Sequence, residues 1–175
     1  INPAIFFKKN FSKTSMGLFV LFFGTKKRYE NVQHHTIIFG KEYKRLLKRI
    51  FKGNELPDDI SIYLHRPTAT DKSFAPKNCD SFYALVPVPN LKANINWRTS
   101  GNAFKDHVIK ILSDKILFDL ENNIVNEFYM SPQSFQDNYL SHQGSGFSVA
   151  PYFTQSAWFR YHNKDKKIKN STTTT

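Results

Sequence analysis

Apolar positions along the chain follow two different periods, which predict strands in some places and helices in others. A continuous apolar run at 18–23 predicts a strand that is buried on both faces. Shorter runs, rich in β-branched and aromatic residues or alternating with polar ones, predict three more strands at 36–39, 60–64 and 82–88. Pro87 indicates that the fourth strand either ends there or lies at a sheet edge.

The helical period appears in three other segments. Apolar residues three and four positions apart predict amphipathic helices at 43–51 and 104–112. A third, shorter helix is predicted to begin after Ser131 as its cap, with Pro132 at the first helical position, and to run to about Leu140. The pattern predicts an α+β fold, with a mixed or antiparallel sheet of four or more strands covered by two or three helices.

Composition adds a positive charge and an aromatic bias to this picture. Lys and Arg number 25 against 14 Asp and Glu, a formal net charge of +11. Such a charge suits anionic partners, either phosphate backbones or acidic lipids. The 17 Phe and 8 Tyr favour sheet surfaces and wide pockets. A single cysteine, Cys79, leaves no internal disulfide and favours a reducing compartment.

Several familiar catalytic and binding motifs are missing from the sequence. The nearest approach to a phosphate-binding glycine loop, at 144–146, has Val149 in place of the third glycine. No Gly-x-Ser-x-Gly elbow exposes a nucleophile. The adjacent pair His34 and His35 is expected to point to opposite faces of a strand, so we expect no metal site there. The pair at 58–59 predicts a helix cap or turn rather than acid–base chemistry.

Two polar segments allow both a functional and a structural interpretation. At 64–71 a strand runs into an imidazole, a guanidinium, hydroxyls and a carboxylate, which is typical either of a site or of a hydrogen-bonded turn. At 151–163 Trp158, Arg160 and His162 occupy alternate positions, so an extended chain would present them on one face. That face suits a flat ligand, although a buried Trp with a capping Arg explains it equally well.

These segments, taken in order, resemble bacterial phytoene desaturases. The resemblance extends from about residue 16 to residue 163 and preserves the order and spacing of the family's blocks. The matching runs include HHTIIFG at 34–40, YKRLL at 43–47, YLHRPTATD at 63–71, CDSFY at 79–83, VPVPNL at 86–91 and TQSAWFR at 154–160.

The resemblance implies an FAD-dependent oxidoreductase that introduces double bonds into phytoene or a related isoprenoid during carotenoid biosynthesis. It implies the substrate-side part of a two-domain flavoprotein and a long apolar substrate. The single cysteine favours a cytoplasmic location, and the basic faces favour peripheral contact with an anionic membrane. Both glycine-rich flavin motifs of the family are absent from the 175 residues, so we expect the isolated chain to be inactive and to need the missing flavin-binding part. The resemblance places His65 and Arg66 at the substrate and Gln155, Trp158, Arg160 and His162 near the flavin.

The predicted organisation has three parts. Residues 1–15 form an irregular segment that continues from a missing N-terminal part, 16–163 form the substrate-side domain, and 164–175 form a disordered or truncated tail. A rival interpretation is a basic, aromatic-rich module that binds nucleic acid or a membrane surface without catalysis. The ordered blocks favour the enzyme and argue against specific nucleic-acid binding.

Overall fold

The computed structural model describes residues 13–152 and Gln155, and its centre is a five-stranded sheet. All strand pairs are antiparallel, and the strands lie in the order β2-β3-β4-β1-β5. This arrangement confirms the predicted α+β fold. The strands are β1 (Gly17–Thr25), β2 (His35–Ile38), β3 (Ile62–His65), β4 (Asp80–Val88) and β5 (Ile124–Met130).

The two long strands β1 and β4 pair along their whole length and form the middle of the sheet. Phe19 faces Val86 and Phe23 faces Phe82 across the pair, so one side of the sheet is continuously apolar. All four of these side chains are buried. The continuous apolar run of β1 matches its burial, because Phe19 and Leu21 on one face and Leu18 and Val20 on the other are all buried.

Three α-helices occur in the described part of the chain: α1 (Tyr43–Lys52), α2 (Trp97–Lys115) and α3 (Pro132–Tyr139). Helix α2 lies against the apolar side of the sheet, where Phe19 contacts both Trp97 and Phe104 at ring-centroid distances of 5.7 and 5.0 Å. Helix α3 begins as predicted, with Ser131 as its cap. None of these helices is both long and apolar enough to cross a bilayer.

Helix α1 receives its N-terminal cap from a distant loop. The Asp59 carboxylate accepts the backbone N–H groups of Lys41 and Glu42 at 2.9 and 2.7 Å. Those groups immediately precede the helix, whose own cap residue makes no side-chain cap hydrogen bond. Prediction of a cap or turn at 58–59 is therefore confirmed, and the carboxylate has a structural role.

The first alternative for Pro87 is confirmed, because it lies next to the last residue of β4 and faces Leu18 of β1. Strand β4 is not at an edge, since it has β3 on one side and β1 on the other. Strand β5 was not predicted, because its sequence neither alternates cleanly nor forms a continuous apolar run. Among the strands of the described residues it lies at an edge of the sheet and pairs with β1.

Candidate functional site

The face of the sheet opposite α2 carries a band of rings. We call it the aromatic face and define it by Phe22, Tyr63, His65, Tyr83 and Phe128. Phe22 lies at its centre, with ring-centroid distances of 4.7 Å to Phe128 on one side and 5.8 Å to Tyr83 on the other. The Tyr83 ring in turn contacts the rings of His65 and Tyr63, at centroid distances of 4.6 and 5.9 Å. The band therefore crosses β5, β1, β4 and β3 without interruption.

The described residues leave this face partly open to solvent. Phe128 is 58% exposed, and Ile37 at the other margin is 60% exposed. By contrast, the core positions of the opposite face are almost completely buried. A broad apolar surface of this kind on a folded protein is typical of a ligand or partner site.

Two polar groups of the aromatic face, Tyr83 and His65, have pKa values shifted toward their neutral forms. Burial raises the pKa of the Tyr83 phenol above its ordinary value, and the neighbouring Tyr63 raises it further. Burial also lowers the pKa of His65, and the nearby His34 and His35 imidazoles add to that effect. At neutral pH the phenol keeps its proton and the imidazole remains uncharged, so these groups suit an uncharged ligand.

Three histidines meet at the β2–β3 end of the aromatic face. The Nε2 atoms of His34 and His65 are 2.8 Å apart, and the His34 and His35 rings lie 4.4 Å apart. The expected divergence of His34 and His35 is therefore wrong. His34 precedes β2 in a bend, so the alternation of strand side chains does not apply to it, and His35 faces His65 across the β2–β3 pair.

Arg66, predicted at the substrate together with His65, lies in the protein interior. Its side chain is 2% exposed and forms a two-pronged ion pair with Asp80, with Nε to Oδ2 at 2.9 Å and Nη2 to Oδ1 at 3.1 Å. The remaining terminal nitrogen donates to the Val32 carbonyl. The structure therefore does not bring the Arg66 and His65 side chains together, and a substrate contact by either residue stays a prediction.

Most of the polar groups in segment 64–71 serve local structure. The Thr68 hydroxyl donates to Asp80 at 2.7 Å, and the Asp71 carboxylate accepts the Ser73 backbone N–H at 2.9 Å. Those bonds match the hydrogen-bonded turn that the sequence left open. His65 differs, because its ring lies on the aromatic face.

Of the four residues predicted near the flavin, only Gln155 lies within the described residues. Its side-chain amide donates to the carbonyls of Lys13 and Ala150, both at 2.7 Å, and its carbonyl accepts the Lys13 N–H at 3.1 Å. Gln155 therefore joins two distant parts of the chain. Trp158, Arg160 and His162 lie outside the described residues.

Sequence reasoning missed the central members of the aromatic face. Phe22 was assigned to a buried run and Tyr83 to a strand, but neither was connected to a site. The available signal was the alternation in β4, where the even-numbered positions are buried and Tyr83 belongs to the other set. Phe128 gave no comparable signal, because β5 itself was not predicted.

Comparison with known proteins gives the family context. No family model matches the chain. It is 43% identical to the lycopene-forming phytoene desaturase of Paracoccus sp. over 92% of this chain and 32% of that protein. It is 43% identical to the neurosporene-forming phytoene desaturase of Rhodobacter capsulatus, over 88% of this chain and 30% of that protein.

A relative named for a different substrate also matches. The chain is 31% identical to a 4,4'-diapophytoene desaturase of Methylomonas sp, over 89% of this chain and 30% of that protein. The chain thus spans about a third of the length of the curated relatives that it matches. These similarities, which cover nearly all of the chain, place it in the bacterial phytoene desaturase family, as a segment of about a third of its members' length.

Proposed function

We propose that this chain forms the substrate wall of an FAD-dependent carotenoid desaturase, and that its aromatic face contacts a long isoprenoid. The observation that carries the proposal is the ring band from Phe128 through Phe22 to Tyr83, open to solvent on the side away from α2. The relatives from Paracoccus sp. and Rhodobacter capsulatus are named as phytoene desaturases, which supplies the substrate class.

The dimensions and chemistry of the face suit such a substrate. The four strands that carry it, spaced about 4.8 Å apart, give a wall about 14 Å across. A hydrocarbon chain offers no hydrogen-bonding groups, so it binds best where apolar and aromatic surface replaces water. The neutral state of Tyr83, which lies nearer the centre of the face, avoids the cost of placing a charge against hydrocarbon. We place His65 at one margin of this wall, in contact with Tyr83.

FAD, when bound, would supply the acceptor for the hydrogen that desaturation removes. The described residues do not provide a glycine-rich phosphate cradle, so the proposal assigns no step and no cofactor contact to them. Gln155, Trp158, Arg160 and His162 stay predictions for the flavin side. The role of this chain is to hold and align the substrate.

A matched pair of phenylalanines tests this role. Phe128 on the aromatic face and Phe118 after α2 are similarly exposed, at 58% and 62%. In the complete protein that carries this chain, supplied with FAD and with phytoene in liposomes, Phe128→Asp should lower kcat/KM at least tenfold, because a carboxylate against hydrocarbon costs a few kcal/mol. Phe118→Asp should leave kcat/KM within about twofold. Equal effects from the two substitutions, measured by chromatography of the products, would contradict the proposal.

We also propose that α1 contacts an anionic membrane surface. The helix presents exposed basic residues, among them Lys44 and Lys48, and the neighbouring rings of Phe39 and Tyr43 are 62% and 48% exposed. Cations beside exposed rings favour an interface where anionic head groups meet acyl chains. Such a position would bring the aromatic face close to a lipid-dissolved substrate.

Vesicle cosedimentation tests the membrane contact. The double variant Lys44→Glu and Lys48→Glu should lose binding to vesicles with anionic lipid, because each basic residue contributes about 1 kcal/mol near such a surface. Lys110→Glu, at an exposed position on α2, is the control and should lose much less. Equal loss from both changes would indicate a general charge effect. Salt-sensitive binding of single-stranded oligonucleotides in place of vesicles would favour the nucleic-acid interpretation.

A further inference from the structure

The three-histidine cluster has the composition of a metal site. The ligand atoms of His34, His35 and His65 all lie within 4.8 Å of one another. Imidazole nitrogen suits divalent transition metals such as Zn²⁺, and three histidines are a common ligand set for zinc. We infer that these histidines form a binding site for a divalent transition-metal ion of the Zn²⁺ class.

The spacing is close to what such an ion requires. Zinc binds imidazole nitrogen at about 2.0–2.1 Å, so two nitrogens of a tetrahedral site lie about 3.3 Å apart. The His34 and His65 Nε2 atoms are 2.8 Å apart, and the widest separation in the group is within 4.8 Å. Binding of an ion would open the closest pair of nitrogens slightly and draw the most distant pair together. His35 is exposed, so an ion can reach the cluster from solvent.

The outer nitrogens of two of the rings already have suitable partners. An imidazole that binds metal through Nε2 carries its proton on Nδ1 and donates it to a neighbouring oxygen, which fixes the ring orientation. The Thr70 hydroxyl lies 2.5 Å from His34 Nδ1, and the Tyr63 hydroxyl lies 2.7 Å from His35 Nδ1. In both rings Nε2 is then the nitrogen that would bind the ion, which in His34 would replace the hydrogen bond to His65.

The third ring is held by its surroundings. His65 belongs to β3, its ring contacts Tyr83 at 4.6 Å, and its Nδ1 is buried without a hydrogen-bond partner among the described residues. Its Nε2 is the atom that faces His34. The site would join the bend before the edge strand β2 to its neighbour β3, which would stabilise that edge of the sheet.

The direct test is titration of the chelator-treated protein with Zn²⁺ by calorimetry. One ion per chain should bind, and His35→Gln should lower the affinity at least about tenfold. His142→Gln, an exposed histidine near α3, is the control and should leave the affinity unchanged. Tyr63→Phe and Thr70→Val should each lower the affinity about tenfold to a hundredfold, as loss of such outer partners does elsewhere.

His35 decides the result, because it is exposed and its substitution leaves the core untouched. Far-UV circular dichroism confirms that each variant is folded. Titration with Co²⁺ gives a second readout, since a tetrahedral histidine site produces strong visible bands that His35→Gln should remove. Absence of saturable Zn²⁺ binding, or equal loss in His35→Gln and His142→Gln, would show that the cluster is only a set of hydrogen-bonded imidazoles and would overturn the inference.

Discussion

The buried ion pair between Arg66 and Asp80 allows a quantitative stability prediction. Asp80 accepts four hydrogen bonds: two from Arg66, one from the Thr68 hydroxyl and one from the Tyr29 backbone N–H. The side chains of Arg66 and Asp80 are 2% and 0% exposed. Asp80→Asn would leave the guanidinium buried without its counter-charge, and it would turn an amide donor toward groups that are themselves donors.

We expect Asp80→Asn to lower the free energy of unfolding by about 3–5 kcal/mol, the usual cost of breaking a buried pair from one side. With a urea m-value of about 2 kcal/mol per M, the midpoint should fall by about 2 M. Glu30→Gln is the matched control, because Glu30 also approaches Arg66, at 3.7 Å, but is 73% exposed. It should change the free energy of unfolding by less than about 0.5 kcal/mol.

A double-mutant cycle with Arg66→Met separates the pair from its surroundings. Each single variant leaves one charge of the pair without its main partner, whereas the double variant removes both charges of the pair; Arg28, whose Nε lies 3.8 Å from Asp80, is common to all four proteins. The double variant should therefore be about 2–3 kcal/mol more stable than the sum of the single losses predicts. Urea unfolding followed by far-UV circular dichroism measures all four proteins. Additive losses, or a loss below about 1 kcal/mol for Asp80→Asn, would refute this account of the pair.

Two further predictions concern α2 and α1. Gly101→Ala should lower the free energy of unfolding by about 1–3 kcal/mol, although Ala has the better helix propensity, because the new Cβ would lie 2.3 Å from the Tyr129 hydroxyl. Thermal unfolding measures this loss, and a variant more stable than the parent would contradict the prediction. Asp59→Ala should cost about 1 kcal/mol at neutral pH as a lost cap. Backbone hydrogen bonds at the start of α1 lower the pKa of Asp59 below its ordinary value of 3.8. The stabilisation is therefore complete above pH 3.8 and is lost as the pH falls through the lowered pKa. A stability difference between Asp59→Ala and the parent that does not change with pH would contradict this prediction.

Local signals predicted much of the fold. The Ser131 cap with Pro132 fixed the start of α3, and the helical stripe at 43–51 located α1, since both depend on neighbouring residues alone. Strand β5 could not be predicted in this way. Its residues vary in burial without a period of two, and it is defined by pairing with β1, a contact distant in sequence.

The site was less predictable because it also depends on contacts between residues that are distant in sequence. His65 and Arg66 were singled out together as candidate site residues, yet the sequence could not show that Arg66 turns inward to Asp80 while His65 turns to the aromatic face. Convergence of the three histidines depends on a bend at His34 and on the register of β2 with β3. Neither feature can be predicted from two adjacent histidines in the sequence.

The central claim is that the aromatic face contacts the isoprenoid, and photolabelling tests it most directly. An isoprenoid hydrocarbon that carries a diazirine would be irradiated with the complete protein in liposomes, and labelled peptides would be mapped by mass spectrometry. We predict labels on the strands at Phe22, Tyr83 and Phe128, and their loss when excess phytoene competes. Labels confined to α2, or labels that phytoene does not displace, would contradict the claim.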